Sequence, residues 1–228
     1  MPELAINGGP PVRHNVLPYG RQSVDQQDIQ AVERVLRSDW LTTGPQVPQF
    51  EDAFARLVGT RYAVAVSSGT AALHAIVAAL DIAAGDEVIV PAITFAASAN
   101  CVVYQGGRPV FVDVEPDTLL IDVDQVEDKL AARTRAIVAV DYAGQACDYA
   151  ELGSIARQHE VALVADACHA LGGSYRGRQV GTLADLSAFS LHPVKPITAG
   201  EGGVVTTDDD RWVARIRAFR NHGITQDH

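Results

Sequence analysis

Lys195 lies in a segment whose composition restricts the backbone around a single amine. The segment is Phe189-Ser190-Leu191-His192-Pro193-Val194-Lys195-Pro196. Its two prolines fix φ and lack backbone donors, which disfavours a helix, and the residue before each proline is pushed toward extended geometry. Because a lysine in a rigid, mostly apolar loop is partly desolvated, its neutral, nucleophilic amine is favoured. Such an amine suits a Schiff base with an aldehyde cofactor; the structural alternative is a surface lysine in a turn.

Asp166 and His169 follow a strongly apolar run of five residues, Val161-Ala162-Leu163-Val164-Ala165. A carboxylate at the end of a buried strand is costly without a cationic partner, and a protonated pyridine nitrogen is one such partner. His169 is placed to reach the ring hydroxyl or the Schiff-base side of such a cofactor. A helix cap or a salt bridge for Asp166, and a hydrogen-bonded structural role for His169, fit the sequence equally well.

A phosphate site is predicted at Ser67-Ser68-Gly69-Thr70, which opens a helix directly after an apolar run. A helix N-terminus offers free N–H groups and the positive end of a dipole. Gly69 allows close backbone approach, and Thr70 adds a hydroxyl donor. Ser190 is a further phosphate ligand, and Phe95 is placed to stack on an aromatic ring. The alternatives are helix capping for the first segment, a local turn for Ser190 and the core for Phe95.

Short apolar runs alternate with helical patterns from residue 62 onward. The predicted strands are 62–66, 87–90, 110–113, 136–140, 161–165, 186–189 and 203–206. The predicted helices between them are 70–81, 95–105, 123–132, 149–158 and 209–220. Nearly continuous apolar strands indicate a mostly parallel α/β sheet that is covered on both faces. Since ligands bind at the carboxyl ends of strands in such sheets, all the candidate residues are expected at one edge.

The N-terminal part is predicted to be an irregular arm over residues 1–22, which are rich in glycine and proline. Ser23 is predicted to begin a helix, with Gln26 completing a capping box. This helix is expected to end near Asp39, and its apolar face consists of Ile29, Val32, Val35 and Leu36. A second helix is predicted over 48–58.

Composition excludes several classes of protein. The chain has 228 residues, is 47% apolar and carries a net charge of −10, which fits a globular protein and disfavours binding to nucleic acid or acidic membrane. Its three cysteines, at positions 101, 147 and 168, lack metal-binding spacing and predict no disulfide framework. No signal peptide, membrane span or metal site is predicted, so we expect a cytoplasmic location.

The chain resembles the DegT/StrS family of pyridoxal-phosphate-dependent nucleotide-sugar aminotransferases, from about Pro18 to its last residue. The segments that carry the resemblance are Asp39 to Pro45, Ser67 to His74, Gly85 to Pro91, Val164 to Ala170, Phe189 to Lys195 and Glu201 to Gly203. The resemblance implies a three-layer α/β/α large domain of the aspartate-aminotransferase type (fold type I). Residues 23–228 would form this pyridoxal-phosphate-binding domain, within a homodimer.

The resemblance also implies a role for each candidate residue. Lys195 would form the Schiff base with pyridoxal phosphate and shuttle the proton, and Asp166 would pair with the pyridine nitrogen. Gly69, Thr70 and Ser190 would bind the phosphate, Phe95 would stack on the ring, and His169 would lie beside it. The implied reaction moves an amino group from glutamate to a 4-keto nucleotide sugar. A related dehydratase branch carries histidine in place of the lysine, so Lys195 favours transamination.

Four segments resemble the pseudaminic acid pathway enzyme of this family most: Tyr19 to Gln22, Asp39 to Leu41, His192 to Lys195 and Asn221 to Thr225. One departure from the family pattern concerns the C-terminal small domain, which is expected to be absent because family members continue well past position 228. The alternatives are a non-catalytic cofactor-binding fragment, a partner subunit, or another enzyme of the same cofactor fold, such as a lyase or desulfurase. A desulfurase is disfavoured because no cysteine lies near Lys195.

Overall fold

The computed structural model of the protein describes residues 3–18 and 20–224. Tyr19 and Thr225, which belong to two segments that resemble the pseudaminic acid pathway enzyme, lie outside these residues. The first two residues of the predicted arm and residues 226–228 of the predicted domain also lie outside the described residues. The described part of the arm contains one 3₁₀ turn, Ala5–Asn7.

Seven strands form one mixed sheet. Its strands are β1 (Tyr62–Val66), β2 (Glu87–Pro91), β3 (Arg108–Val112), β4 (Thr134–Val140), β5 (Ala162–Asp166), β8 (Leu186–Ser190) and β9 (Gly203–Thr207); β6 (Ser174–Tyr175) and β7 (Arg178–Gln179) form a separate hairpin. The strand order is β1-β9-β8-β5-β4-β2-β3, and β9 runs in the opposite direction to the other six strands. The predicted mostly parallel sheet is therefore confirmed, and six carboxyl ends share one edge.

Helices cover the sheet on both faces, because its central strands are mostly apolar. The helices are α1 (Gln26–Leu36), α2 (Gln46–Val58), α3 (Gly69–Ala79), α4 (Ala97–Tyr104), α5 (Val123–Lys129), α6 (Tyr149–Gln158) and α7 (Asp210–Arg220). One buried cluster contains side chains of α2, α5 and α6, and a second contains side chains of α3, α4 and α7. The result is the predicted three-layer α/β/α arrangement.

The prediction for the start of α1 was wrong. The N-cap is Asp25 rather than Ser23: its carboxylate accepts from the N–H groups of Gln27 and Asp28, and the Asp28 carboxylate accepts from the Asp25 N–H. A carboxylate is a stronger acceptor for helix N-terminal amides than a hydroxyl, because it is charged. The apolar face of α1 is also uncovered by the described residues, with Ile29, Val32 and Leu36 between 51% and 66% exposed.

Three further expectations concern cysteines, metals and membranes. All three cysteines are free thiols. Over residues 3–18 and 20–224, no group of three or more His, Cys, Asp and Glu side chains is arranged to hold a metal ion. Within the same ranges, none of the helices combines the length and apolar character needed to span a bilayer.

Candidate active site

All seven predicted site residues line one cavity of about 400 Å³ at the carboxyl edge of the sheet. They are Gly69, Thr70, Phe95, Asp166, His169, Ser190 and Lys195. The parallel strands explain this gathering, since β5 ends at Asp166, β8 ends at Ser190 and the loop after β1 leads into α3. The structure thus brings Asp166 and Lys195 to the same small volume.

The N-terminus of α3 forms one end of the cavity. Ser68 is the N-cap, and its hydroxyl accepts from the Ala71 N–H at 3.0 Å. Ser68 therefore caps the helix, while the N–H groups of Gly69 and Thr70 have no protein acceptor among the described residues. These free donors at the positive end of a helix suit an anion such as phosphate.

Close packing beneath this turn requires glycine at two positions. A Cβ on Gly203 would lie 2.2 Å from the Ser68 carbonyl oxygen, because β9 passes directly under the turn. A Cβ on Gly69 would lie 2.9 Å from both Cys168 Sγ and the Cβ of Ser190. The helix N-terminus is consequently held against the end of β8. Ser190 Oγ is half-buried there and also accepts from the His192 N–H at 3.4 Å, so the local turn bond is present too.

Asp166 is 5% exposed and has no cationic partner within the described residues. Its Oδ1 accepts from the Cys168 N–H at 3.3 Å, and its Oδ2 accepts from the Ser98 hydroxyl at 2.6 Å. The structural salt bridge considered from the sequence is therefore not what the structure contains. A buried carboxylate that faces a cavity without a cation fits a ligand with a protonated nitrogen.

His169 is half-buried beside the cavity, and its ring centroid lies 6.4 Å from that of Tyr142. Burial lowers the pKa of His169, the charge of Lys195 lowers it further, and the Asp166 carboxylate opposes both. The lowered pKa favours the neutral imidazole, which offers one donor and one acceptor nitrogen.

Lys195 lies in the loop between β8 and β9, which is not helical, as the two prolines predict. The Lys195 N–H donates to the His192 carbonyl at 2.9 Å, which closes a turn with Pro193 in its second position. Hydrogen bonds from the Leu191 N–H to Gly202 and from the Ala199 N–H to Leu191 fasten both ends of the loop. The lysine side chain is half-buried, so the alternative of a fully exposed turn lysine does not apply.

Phe95 is 72% exposed and borders the cavity, so it is not the core residue that was the alternative. Sequence reasoning missed two hydroxyl residues that reach the acid, Ser98 directly and Thr94 through Ser98. It also missed Tyr142 and Cys168, which line the cavity. The only sequence signal for the hydroxyls was their spacing of four positions at the start of a predicted helix.

A family model for DegT/DnrJ/EryC1/StrS aminotransferases matches residues 22–228. Three solved structures superpose closely. DesI with its TDP-sugar product is 40% identical, with a TM-score of 0.91, and the match covers 97% of this chain and 57% of that one. PseC of Helicobacter pylori, an aminotransferase of pseudaminic acid biosynthesis, is 34% identical, with a TM-score of 0.87 and coverages of 92% and 57%.

The third structure is the pyridoxal-phosphate form of Spr1654 from Streptococcus pneumoniae, a sugar aminotransferase by similarity. It is 32% identical, with a TM-score of 0.87 and coverages of 91% and 58%. The chain therefore spans 57–58% of the length of these proteins, and 56% of a curated relative that is 41% identical to it.

Proposed function

The chain belongs to the DegT/DnrJ/EryC1/StrS aminotransferase family, and we propose that it is the pyridoxal-phosphate-binding part of a nucleotide-sugar aminotransferase in which Lys195 bonds to the cofactor. Residues 23–228 form the proposed cofactor-binding domain, and residues 1–22 its arm. One observation carries the proposal: Asp166, a buried acid with no cationic partner in the described part of the chain, lines the same cavity as Lys195 and the N-terminus of α3. The pyridoxal-phosphate form of the similar Spr1654 structure supports the choice of cofactor.

Bound pyridoxal phosphate supplies an electron sink for the carbon that loses a proton. In the proposed site, the Asp166 carboxylate keeps the proton on the ring nitrogen and thereby maintains the ring as an electron acceptor. The N–H groups of Gly69 and Thr70, with the hydroxyls of Thr70 and Ser190, hold the phosphate. Phe95 covers one face of the ring.

Lys195 has a second proposed role as the group that moves the proton. Its Nζ, when free and neutral, takes a proton from the substrate carbon and returns it to the cofactor side. The neutral His169 beside it contributes one donor or acceptor nitrogen to the ring or its substituent. Lys195 is half-buried and lines the same cavity as His169, so both side chains lie where this role needs them.

The proposed substrates are glutamate as amino donor and a 4-keto nucleotide sugar as acceptor. DesI, which was solved with a TDP-sugar, is more similar to this chain than PseC, at 40% against 34% identity. The pseudaminic acid substrate is thus one member of the proposed class. A panel of 4-keto UDP- and TDP-sugars with glutamate identifies the acceptor; a chain that binds cofactor yet aminates none of them supports the cofactor-binding module instead. The homodimer and the cytoplasmic location remain predictions.

The covalent assignment has a sharp test, because the sequence contains only two lysines, Lys129 and Lys195. Lys129 is exposed at the end of α5 and is not among the residues that line the cavity. After incubation with pyridoxal phosphate, borohydride reduction and peptide mapping should place the pyridoxyl group on Lys195. Lys129→Ala should label as the wild type does, whereas Lys195→Ala should not label. An adduct confined to Lys129 or the α-amino group contradicts the proposal.

A further inference from the structure

The acid at the end of β5 accepts a hydrogen bond from a hydroxyl of α4, which in turn contacts a second hydroxyl in the loop after β2. Ser98, the second residue of α4, is completely buried, and its Oγ donates to Asp166 Oδ2 at 2.6 Å. Thr94, which follows β2, lies with its Oγ1 at 2.7 Å from Ser98 Oγ. Three side chains thus form a continuous line from the loop after β2 to the buried carboxylate.

The direction of the protons along this line follows from the chemistry of its end. An ionised carboxylate only accepts hydrogen bonds, so the single hydroxyl proton of Ser98 points to Asp166. Ser98 Oγ must then accept, and the Thr94 hydroxyl must donate to it. Each bond polarises the next, and the bond that reaches the charged carboxylate is the short, strong one.

We propose that Thr94 and Ser98 form a hydroxyl relay that orients Asp166 toward the ring nitrogen of pyridoxal phosphate. The inference rests on the proposed function. The Cys168 N–H holds Asp166 Oδ1, and Ser98 holds Oδ2, so two donors from different elements fix the plane of the carboxyl group. The remaining acceptor capacity of the carboxylate faces the cavity that Asp166 lines.

The relay also couples the acid to the aromatic side chain of the site. Phe95 lies between the two hydroxyl residues in sequence, and the Ser98 N–H donates to the Phe95 carbonyl at 3.1 Å. The segment from Thr94 to Ser98 therefore carries both the proposed ring cover and the line of hydroxyls that reaches Asp166. A shift of this turn would misplace both groups together, so Ser98 and Thr94 act as positioning residues.

The test compares pyridoxal phosphate with its 1-deaza analogue, which has carbon in place of the ring nitrogen. Wild-type chain should bind pyridoxal phosphate about tenfold more tightly than the analogue, because only the former pairs with Asp166. Ser98→Ala should lower the affinity for pyridoxal phosphate about tenfold and leave the affinity for the analogue within about twofold. Thr94→Val should have a smaller effect of the same kind, and Ser98→Thr should restore binding.

The matched control is Ser187→Ala. Ser187 is also completely buried, its hydroxyl has no partner among the described residues, and it lies in β8 rather than against Asp166. This variant should leave both affinities unchanged. Thermal unfolding of the ligand-free chains checks that Ser98→Ala and Ser187→Ala fold alike, and Thr94→Val, with its half-buried site, tests the relay without touching a fully buried residue.

Each other outcome overturns the inference in a recognisable way. Equal losses for both ligands in Ser98→Ala would show a merely structural serine, and an unchanged affinity for pyridoxal phosphate would show that the relay does not act on Asp166. Equal binding of both ligands by the wild type would remove the ring-nitrogen role of Asp166, while labelling of Lys195 would still support the proposed function. A chain that neither binds the cofactor nor labels Lys195 would overturn both.

Discussion

Gly69 and Ser190 pack closely at the α3 end of the cavity, where a Cβ on residue 69 would lie 2.9 Å from the Cβ of Ser190. The same Cβ would lie 2.9 Å from Cys168 Sγ. The contact joins the first residue of α3 to the last residue of β8. Backbone donors of one element and a hydroxyl of another therefore meet at one point, which is the arrangement that the proposed phosphate site needs.

We expect Gly69→Ala to disrupt this contact, because the new methyl group has no room and its neighbours are a strand end and the half-buried thiol of Cys168. The free energy of unfolding should fall by about 1–3 kcal/mol, and pyridoxal phosphate should bind at least about tenfold more weakly as the helix N-terminus moves. Urea unfolding and absorbance titration measure the two effects.

Gly153→Ala is the control for this substitution. Gly153 lies inside α6, where an added Cβ would meet only the flexible end of Arg157, at 3.2 Å. Alanine is favoured over glycine in a helix by roughly 0.5–1 kcal/mol, so this variant should gain stability and bind cofactor normally. Wild-type stability and affinity in Gly69→Ala would show that the contact does not shape the site.

Phe95 should affect binding without affecting folding. Its side chain is 72% exposed in the ligand-free chain, so Phe95→Leu removes little that stabilises the fold. If the ring covers the cofactor, its loss should weaken pyridoxal phosphate binding by about threefold to tenfold, which corresponds to about 0.5–1.5 kcal/mol for an aromatic pair. Tyr104→Leu, a 54% exposed aromatic at the other end of α4, is the control. Equal affinities of both variants would remove Phe95 from the site.

The fold was largely predictable because its strands are unbroken apolar runs. All seven predicted strands overlap observed strands, and β1 agrees at both ends. The start of α1 was not predictable in the same way, since Ser23 and Asp25 are both good N-caps and only the reciprocal Asp25–Asp28 pair decides between them. The apolar face of α1 was identified from its periodicity, and the described residues leave most of it exposed, because periodicity shows that a face is apolar but not what covers it.

The site residues could be grouped from sequence because parallel strands bring their carboxyl ends to one edge. The Ser98–Asp166 bond could not, since it joins residues 68 positions apart. Strand β4 lies between β2, which precedes Ser98, and β5, which ends at Asp166. The contact therefore depends on how the chain after β2 passes over β4. Spacing rules describe one element at a time, and this bond depends on the relative placement of two.

Glu51 is expected to stabilise the junction of α2, β1 and α7. Its side chain is 8% exposed and accepts from the Ala65 N–H at 2.9 Å and from Arg220 at 2.5 Å. Glu51→Gln keeps an oxygen for Ala65 but leaves Arg220, itself only 26% exposed, without its counter-charge. We expect a loss of about 2 kcal/mol in the free energy of unfolding.

The control is Glu33→Gln on α1. Glu33 pairs with Arg37 one turn away, but the two side chains are 52% and 77% exposed. Solvent screens such a pair, so its loss should cost less than about 0.5 kcal/mol. Urea unfolding measures the loss of stability in both variants. Equal losses would show that burial does not strengthen the Glu51 pair.

Asp141 should make the stability of the chain depend on pH. It is completely buried, its Oδ1 accepts from the Cys147 N–H at 3.0 Å and the Tyr149 hydroxyl at 2.9 Å, and its Oδ2 has no partner among the described residues. Burial raises the pKa of Asp141 to about 7, the two hydrogen bonds oppose this, and the charge of Asp166 adds to it. Between about pH 4 and 7 the folded chain therefore keeps a proton on this carboxyl group. The unfolded chain, in which the pKa has its ordinary value of 3.8, has already lost that proton.

Because the folded state binds more protons between these two values, this contribution to stability is fully present below about pH 4 and is lost as the pH rises through 7. Asp141→Asn carries a neutral amide of similar shape at every pH, so it should be close to the wild type near pH 4. As the pH rises to 8, its free energy of unfolding should come to exceed that of the wild type by about 4 kcal/mol at most. Urea unfolding at intervals from pH 4 to 8 measures the differences, and parallel curves for wild type and Asp141→Asn would show that Asp141 is ionised in the folded chain throughout this range.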